Sequence, residues 1–163
     1  MSSWIVLVIL GPLFLQSNLM VWDEFYFHQR RGLGPWERWG HPLDTLTVIL
    51  PLSLVWFVSW QPIHVVIYAG LAFFSCLFVT KDEFVHHRLC EPKEQWLHAL
   101  LFVMHPVVFL ALAVFWFFRD QLAAQNSWVW GLAALWSATL VGFLIYQVVY
   151  WNFWKVSDAK HHQ

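Results

Sequence analysis

The chain has 163 residues, of which 60% are hydrophobic and 20% aromatic, with only 12% charged and a formal net charge of −1. A mean hydropathy of +0.55 excludes an ordinary soluble domain, which needs far more polar surface. The near-neutral charge argues against a nucleic-acid partner, which calls for a basic face.

A bilayer is crossed by about 20 apolar residues in a helix. Five such stretches are predicted in chain order, at roughly residues 4–22, 43–60, 63–80, 96–118 and 128–154. The pattern predicts an all-α integral membrane protein of five transmembrane helices, built as one transmembrane domain over residues 1–163. Residues 3–22 lack a basic start and a small-residue cleavage site, and an acidic pair follows at once, so they read as a retained span rather than a signal peptide. Lys and Arg set the orientation. Arg30, Arg31 and Arg38 lie between spans one and two, Lys81, Arg88 and Lys93 between three and four, and Lys155 and Lys160 in the tail. The other side holds only Arg119. The positive-inside rule then puts the N-terminus outside and the C-terminus in the cytoplasm, and a bacterial inner membrane is the expected location.

Between these spans one pattern occurs twice. Residues 23–41 hold Asp23-Glu24-Phe25, His28, and then Pro35-x-Glu37-x-Trp39-x-His41. Residues 82–98 hold Asp82-Glu83-Phe84, His87, and then Pro92-x-Glu94-x-Trp96-x-His98. The duplication divides the chain into two helical hairpins, repeat 1 at about 3–60 and repeat 2 at about 62–119, plus an extra helix at about 127–154. Gly32-Leu33-Gly34 and Cys90-Glu91 are the expected turns. Pro35 and Pro92 open the following helices, at a position where a missing N–H costs nothing. His41-Pro42 and His105-Pro106 are expected to kink their helices.

Each copy supplies two Glu-x-x-x-His pairs: Glu24/His28 and Glu37/His41, then Glu83/His87 and Glu94/His98. Residues four apart share one face of a helix. Random placement of five Glu and nine His along the chain gives fewer than one such pair, and four occur. Carboxylates and imidazoles together suit iron, zinc or manganese, so these eight residues are the predicted ligands of two metal ions, iron first. Asp23, Asp44 and Asp82 are expected to orient them. His86, a quarter-turn from His87, is the weaker ligand of that pair. His105, deeper on the face of His98, is a further ligand or substrate contact. Tyr146 and Tyr150, with Gln147 and Asn152 near the cytoplasmic end of the last span, are the predicted proton or hydrogen-bond donors to bound oxygen. The bland rival is a set of solvated ion pairs with the nearby arginines, each worth a few tenths of a kcal/mol.

In site type this arrangement resembles the membrane histidine-box oxygenases and desaturases, which hold two irons at the cytoplasmic ends of their spans. Their His-x-x-His-His boxes are absent here, where the one His-His step within the repeats is His86-His87. A half-carboxylate ligand set is similar to that of soluble ferritin-like di-iron proteins. The resemblance is one of site type and transfers no substrate; the site itself is read as that of an oxidoreductase of hydroxylase, desaturase or oxidase type, acting on a lipid-soluble substrate that enters from the bilayer. A redox partner or an oligomer is compatible with it. Zinc on the same ligands makes a membrane hydrolase instead. A haem-b electron carrier needs only two axial histidines, His41 and His98. A metal transporter needs polar residues through the full depth, and a non-catalytic subunit of a membrane complex needs no metal. His64 is expected to be a satisfied interfacial residue, and His161 and His162 to be solvated. Cys76 and Cys90 imply no disulfide.

Overall fold

The computed structural model describes residues 3–155, and the side chains of all of these but residues 3, 85, 88 and 89. Lys160, His161 and His162 therefore lie outside the described residues, as does the Arg88 side chain. Among the described residues there is no strand.

Five helical rods make up the molecule. The first, α1 (Ser3–Trp22), continues through a π-helical turn, Asp23–His28, and a last turn, Gln29–Arg31. Gly32 stops it at a φ of 76°, a left-handed conformation that a Cβ would penalise. Pro35 opens α2 (Pro35–Phe57), and the Gly34 N–H donates to Glu37 Oε2 at 2.9 Å, closing the first turn. α3 (Pro62–Phe78) is followed by a 3₁₀ turn, Val79–Asp82, and a short helix, Glu83–Leu89. α4 (Pro92–Gln125) has 34 residues, a length of about 51 Å at 1.5 Å per residue. α5 (Ser127–Val149) ends in a second π-helical turn, Tyr150–Trp154.

Four rods are long and apolar enough to cross a membrane: Trp4–Arg31, Pro62–Asp82, Pro92–Gln125 and Ser127–Trp154. α2 is not among them. It is long enough, but Glu37, Arg38, His41, Asp44, Thr45 and Thr47 dilute its apolar character. The outer surface of the bundle is apolar, with Leu7, Phe57, Val66, Phe73 and Leu110 all exposed. Exposed apolar area on this scale marks a surface that meets something other than water.

The helices do not pair as two hairpins. α1 packs along α4, and α2 along α3 and α5. The helices joined by the first tight turn, α1 and α2, do not pack along each other. The α1–α4 and α2–α3 pairs thus each take one helix from each repeat, whereas α2–α5 joins the first repeat to the extra helix. Ile9, Leu13, Leu52, Val55, Leu112 and Phe115 fill the core. At the end away from the repeated motif, the Arg119 guanidinium donates to the carbonyls of Val55 at 2.8 Å, Trp56 at 3.0 Å and Val58 at 3.1 Å. These carbonyls end α2 and have no helical partner. At the other end, all four of the first rods contribute buried carboxylates: Asp23, Glu24, Glu37, Asp82 and Glu94.

Candidate metal centre

Four imidazoles form a ring: His28, His41, His86 and His98. Rings from the same repeat lie close, His28 to His41 at 4.8 Å and His86 to His98 at 4.2 Å. Rings from different repeats lie farther apart, His28 to His98 at 6.2 Å and His41 to His86 at 6.0 Å. The distances come in matched pairs. His28, His86 and His98 are buried and His41 is half-buried.

The carboxylates follow the same pairing. Asp23 lies 3.1 Å from His98 Nε2, and its counterpart Asp82 lies 3.8 Å from His41 Nδ1. Glu94 lies 3.9 Å from His28 Nε2, and its counterpart Glu37 lies 3.6 Å from His86 Nε2. In all four contacts the acid and the imidazole belong to different repeats. Three local contacts add to these: to His28, Glu24 Oε2 at 3.2 Å from Nδ1 and Asp23 Oδ2 at 3.3 Å from Nε2; to His41, Asp44 Oδ2 at 3.9 Å from Nδ1.

Several groups of these side chains bring their donor atoms within 4.8 Å of one another, close enough to share a cation: Asp23, His28, Glu94 and His98; Glu37, His41 and His86; His41, Asp44 and Asp82; and His86, Cys90 and His98. Among the described residues, five ring nitrogens are buried without a hydrogen-bond partner: His28 Nε2, His41 Nε2, both nitrogens of His86, and His98 Nδ1. Two of them, His28 Nε2 and His86 Nε2, have only the carboxylate contacts above. A buried polar atom without a partner costs about 1–3 kcal/mol, so five in one place is a large penalty. Imidazole nitrogens facing a shared cation bear no such penalty.

Charge gives the same indication. Asp23, Glu24, Glu37, Asp82 and Glu94 are buried, and Asp44 is half-buried. Among the described side chains, two cations answer them. The Arg31 guanidinium donates to Glu37 at 2.7 and 3.0 Å and to Glu94 at 3.1 and 3.3 Å. The Lys81 ammonium donates to Asp44 at 2.6 Å and to Asp82 at 2.9 Å. Burial, and then the charge of neighbouring His98, push the His86 imidazole down to about 4. It stays neutral at ordinary pH, the form that binds a metal. Burial, and then the Glu94 carboxylate, push the Cys90 thiol up, which makes it the poorer donor of its group.

Not every predicted residue is here. Glu83 and His87 are exposed and belong to none of these groups. Asp82 and His86 occupy their places, because the second repeat winds differently from the first. Glu24 faces His28 and is held by two further donors, Tyr146 OH and Trp151 Nε1, each at 2.8 Å. That geometry orients the His28 ring and leaves Nε2 open. Tyr146 and Tyr150 do not reach the cluster as donors to a bound species. Tyr146 is spent on Glu24 and accepts from Gln29 at 2.8 Å. Tyr150 donates to Gln29 Oε1 at 2.8 Å. His105 lies deeper and is tied to Ser75 Oγ at 2.9 Å. His64 is satisfied by the Ser59 carbonyl at 2.9 Å. Gly40 is needed at its place, since a Cβ there would lie 3.1 Å from Asp82 Oδ1.

Sequence reasoning counted Arg31 among the arginines of the ion-pair rival without singling it out as the clamp on Glu37 and Glu94, and it missed Trp36 as a donor to Asp82 at 3.1 Å and a cavity that opens from the cluster into the bundle. The aromatic-rich composition hides Trp36 and Trp151 among many tryptophans. Comparison of the chain with known protein families, curated proteins and solved structures finds no match to any of them.

Proposed function

We propose that the chain is a membrane-embedded protein that holds two divalent metal ions, iron by preference, at the end of the bundle where the repeats meet. One ion is assigned to Asp23, His28, Glu94 and His98, the other to Asp82, His86, Glu37 and His41. Each set offers two imidazoles and two carboxylates, a mix that suits iron and leaves positions open for a reactant. The proposed activity is that of an oxidoreductase of hydroxylase, desaturase or oxidase type on a lipid-soluble substrate, with iron supplying the redox chemistry toward oxygen. The positive-inside rule places this end in the cytoplasm, with α2 as the fifth span.

The observation that carries the reading is the set of five unpartnered imidazole nitrogens inside a ring of four histidines. The chain's own residues have three tasks in it. Glu24, fixed by Tyr146 and Trp151, keeps the proton on His28 Nδ1 and so presents Nε2 to the ion. Arg31 holds Glu37 and Glu94 together and limits their negative charge. Met20, Val48 and Phe102 line the cavity beside the cluster and keep water away from it.

Elemental analysis of the detergent-purified full chain tests this. About two metal equivalents per chain are expected, with loss in both His41→Ala and His98→Ala. A wild-type protein free of metal when purified without chelator overturns the proposal. One observation favours a second reading, that of a purely structural ion network. Arg31 already satisfies Glu37 and Glu94 without any ion. That reading leaves the five imidazole nitrogens unexplained, and it predicts a metal-free protein in the same experiment.

A further inference from the structure

The cluster is one wall of a cavity of about 130 Å³. The rest of its lining is mostly apolar, including Met20, Val48, Phe102, Trp136, Leu140 and Phe143. A dry engineered cavity of roughly this size takes up a benzene ring, so the space admits a small ring or a few carbons of a chain. The lining also carries an anomaly. Gln16 is 8% exposed, and its Oε1 is buried with no hydrogen-bond partner. It sits on α1 seven residues before Asp23, which is about 10 Å deeper at 1.5 Å per residue. Thr45, Gln147 Oε1 and His105, on the same wall, have partners. Thr45 Oγ1 donates to Gln147 Oε1 at 2.7 Å, and His105 is bonded to Ser75.

A buried carbonyl acceptor in an apolar wall has two stable fates: a donor arrives, or the residue is better replaced by a hydrocarbon. The cavity reaches both the metal cluster and this acceptor. From this we infer that the cavity is the substrate site of the proposed metal centre, and that it selects a lipophilic molecule bearing one hydroxyl group. The hydroxyl donates to Gln16 Oε1, and the apolar body lies between that anchor and the cluster. The assignment rests on the two-metal reading and adds the chemical class of the ligand. Selection follows from asymmetry: a ligand lacking the hydroxyl leaves the buried acceptor unpaired and loses the discrimination that a built polar contact gives.

The test uses the full chain in nanodiscs with two probes of similar size, p-cresol, which carries the donor, and toluene, which lacks it. Equilibrium binding is measured for wild type and Gln16→Leu, with metal content determined on the same samples. Wild type is expected to bind p-cresol about tenfold more tightly than toluene, the equivalent of one net hydrogen bond. Gln16→Leu is expected to lose that preference, to bind toluene at least as well as wild type does, and to keep its full metal content. Because the substitution removes an unpaired buried polar group, its thermal midpoint is expected to be no lower than that of wild type; Gln16→Met serves as a second apolar variant with the same expectation. Equal affinity of wild type for both probes, or a preference that survives in both variants, overturns the ligand assignment. Bound metal without discrimination between probes overturns it and leaves the metal centre standing. Discrimination without bound metal overturns the metal centre and leaves a hydroxyl-selective cavity.

Discussion

The first repeat passes from α1 to α2 through a π-helical turn, Asp23–His28, and the second passes from α3 to α4 through a 3₁₀ turn and a short α-helix. A π turn accommodates one residue more than an α turn, with i→i+5 bonding. The acid and the inward-facing imidazole are accordingly five residues apart in the first copy, Asp23 to His28, and four apart in the second, Asp82 to His86. The connection onward is also shorter by one, from His86 to Pro92 against His28 to Pro35, because Gly32-Leu33-Gly34 is replaced by a tighter turn. The two copies thus differ in length at two places and still present matched distances around the ring. What the positions share is direction in space, and helix type decides which residue number achieves it.

Changes at the two winding turns test this comparison most directly. Alanine at His28 and alanine at His86 are expected to have the same consequence, loss of bound metal, whereas His87→Ala keeps the full complement. Metal analysis of the three variants checks this, and metal loss in His87→Ala alone would mean that the second copy follows the sequence alignment instead. Deleting Tyr26 converts the π turn into an α turn with Asp23 and His28 four apart, the spacing of Asp82 and His86 in the second copy. Metal content close to that of wild type is expected, and metal loss comparable to that of His28→Ala would show that the two copies are not equivalent in direction.

Smaller effects sharpen the comparison. Asp23→Asn and Asp82→Asn each remove one carboxylate from equivalent positions, and each is expected to weaken metal affinity by at least the 10- to 100-fold that loss of an outer partner costs. Competition with a chelator of known affinity measures both, and a large inequality would show that the copies are equivalent in shape only. Tyr146→Phe has no counterpart in the second copy. It removes one of the donors that hold Glu24, with an expected loss of about 1 kcal/mol of stability in thermal unfolding and a smaller fall in affinity than either Asp variant.

Much of the architecture is readable from the chain before any coordinates. Apolar stretches and the prolines at 35 and 92 locate the five rods, since proline is tolerated at a helix start and nowhere else without cost. The charged positions of both repeats point to the end of the bundle that holds the buried acids. The choice between neighbours is what stays hidden. In the second copy, Asp82-Glu83 and His86-His87 are doublets, and a shift of one residue exchanges which member of each faces inward. A four-residue spacing selects Glu83 with His87 as readily as Asp82 with His86. In the first copy, Asp23 reaches His28 across five residues at 3.3 Å, a spacing that an α-helical wheel does not favour. The pairing of α1 with α4 is a tertiary matter, invisible to periodicity. Gln16 is one amide in an apolar span, and only the missing partner of its oxygen distinguishes it.

The acid–imidazole contacts that join the two repeats have a consequence for biogenesis. Synthesis delivers the first half of the chain with two imidazoles and no complete set of acids around either. On the two-metal proposal, no full ligand set lies within that half, so capture would wait until α4 packs beside α1. Bound cations would then act as a late clasp, locking the halves together after the bilayer has already assembled them, and scarcity of metal would leave a finished bundle with an unfastened end rather than an unfolded chain.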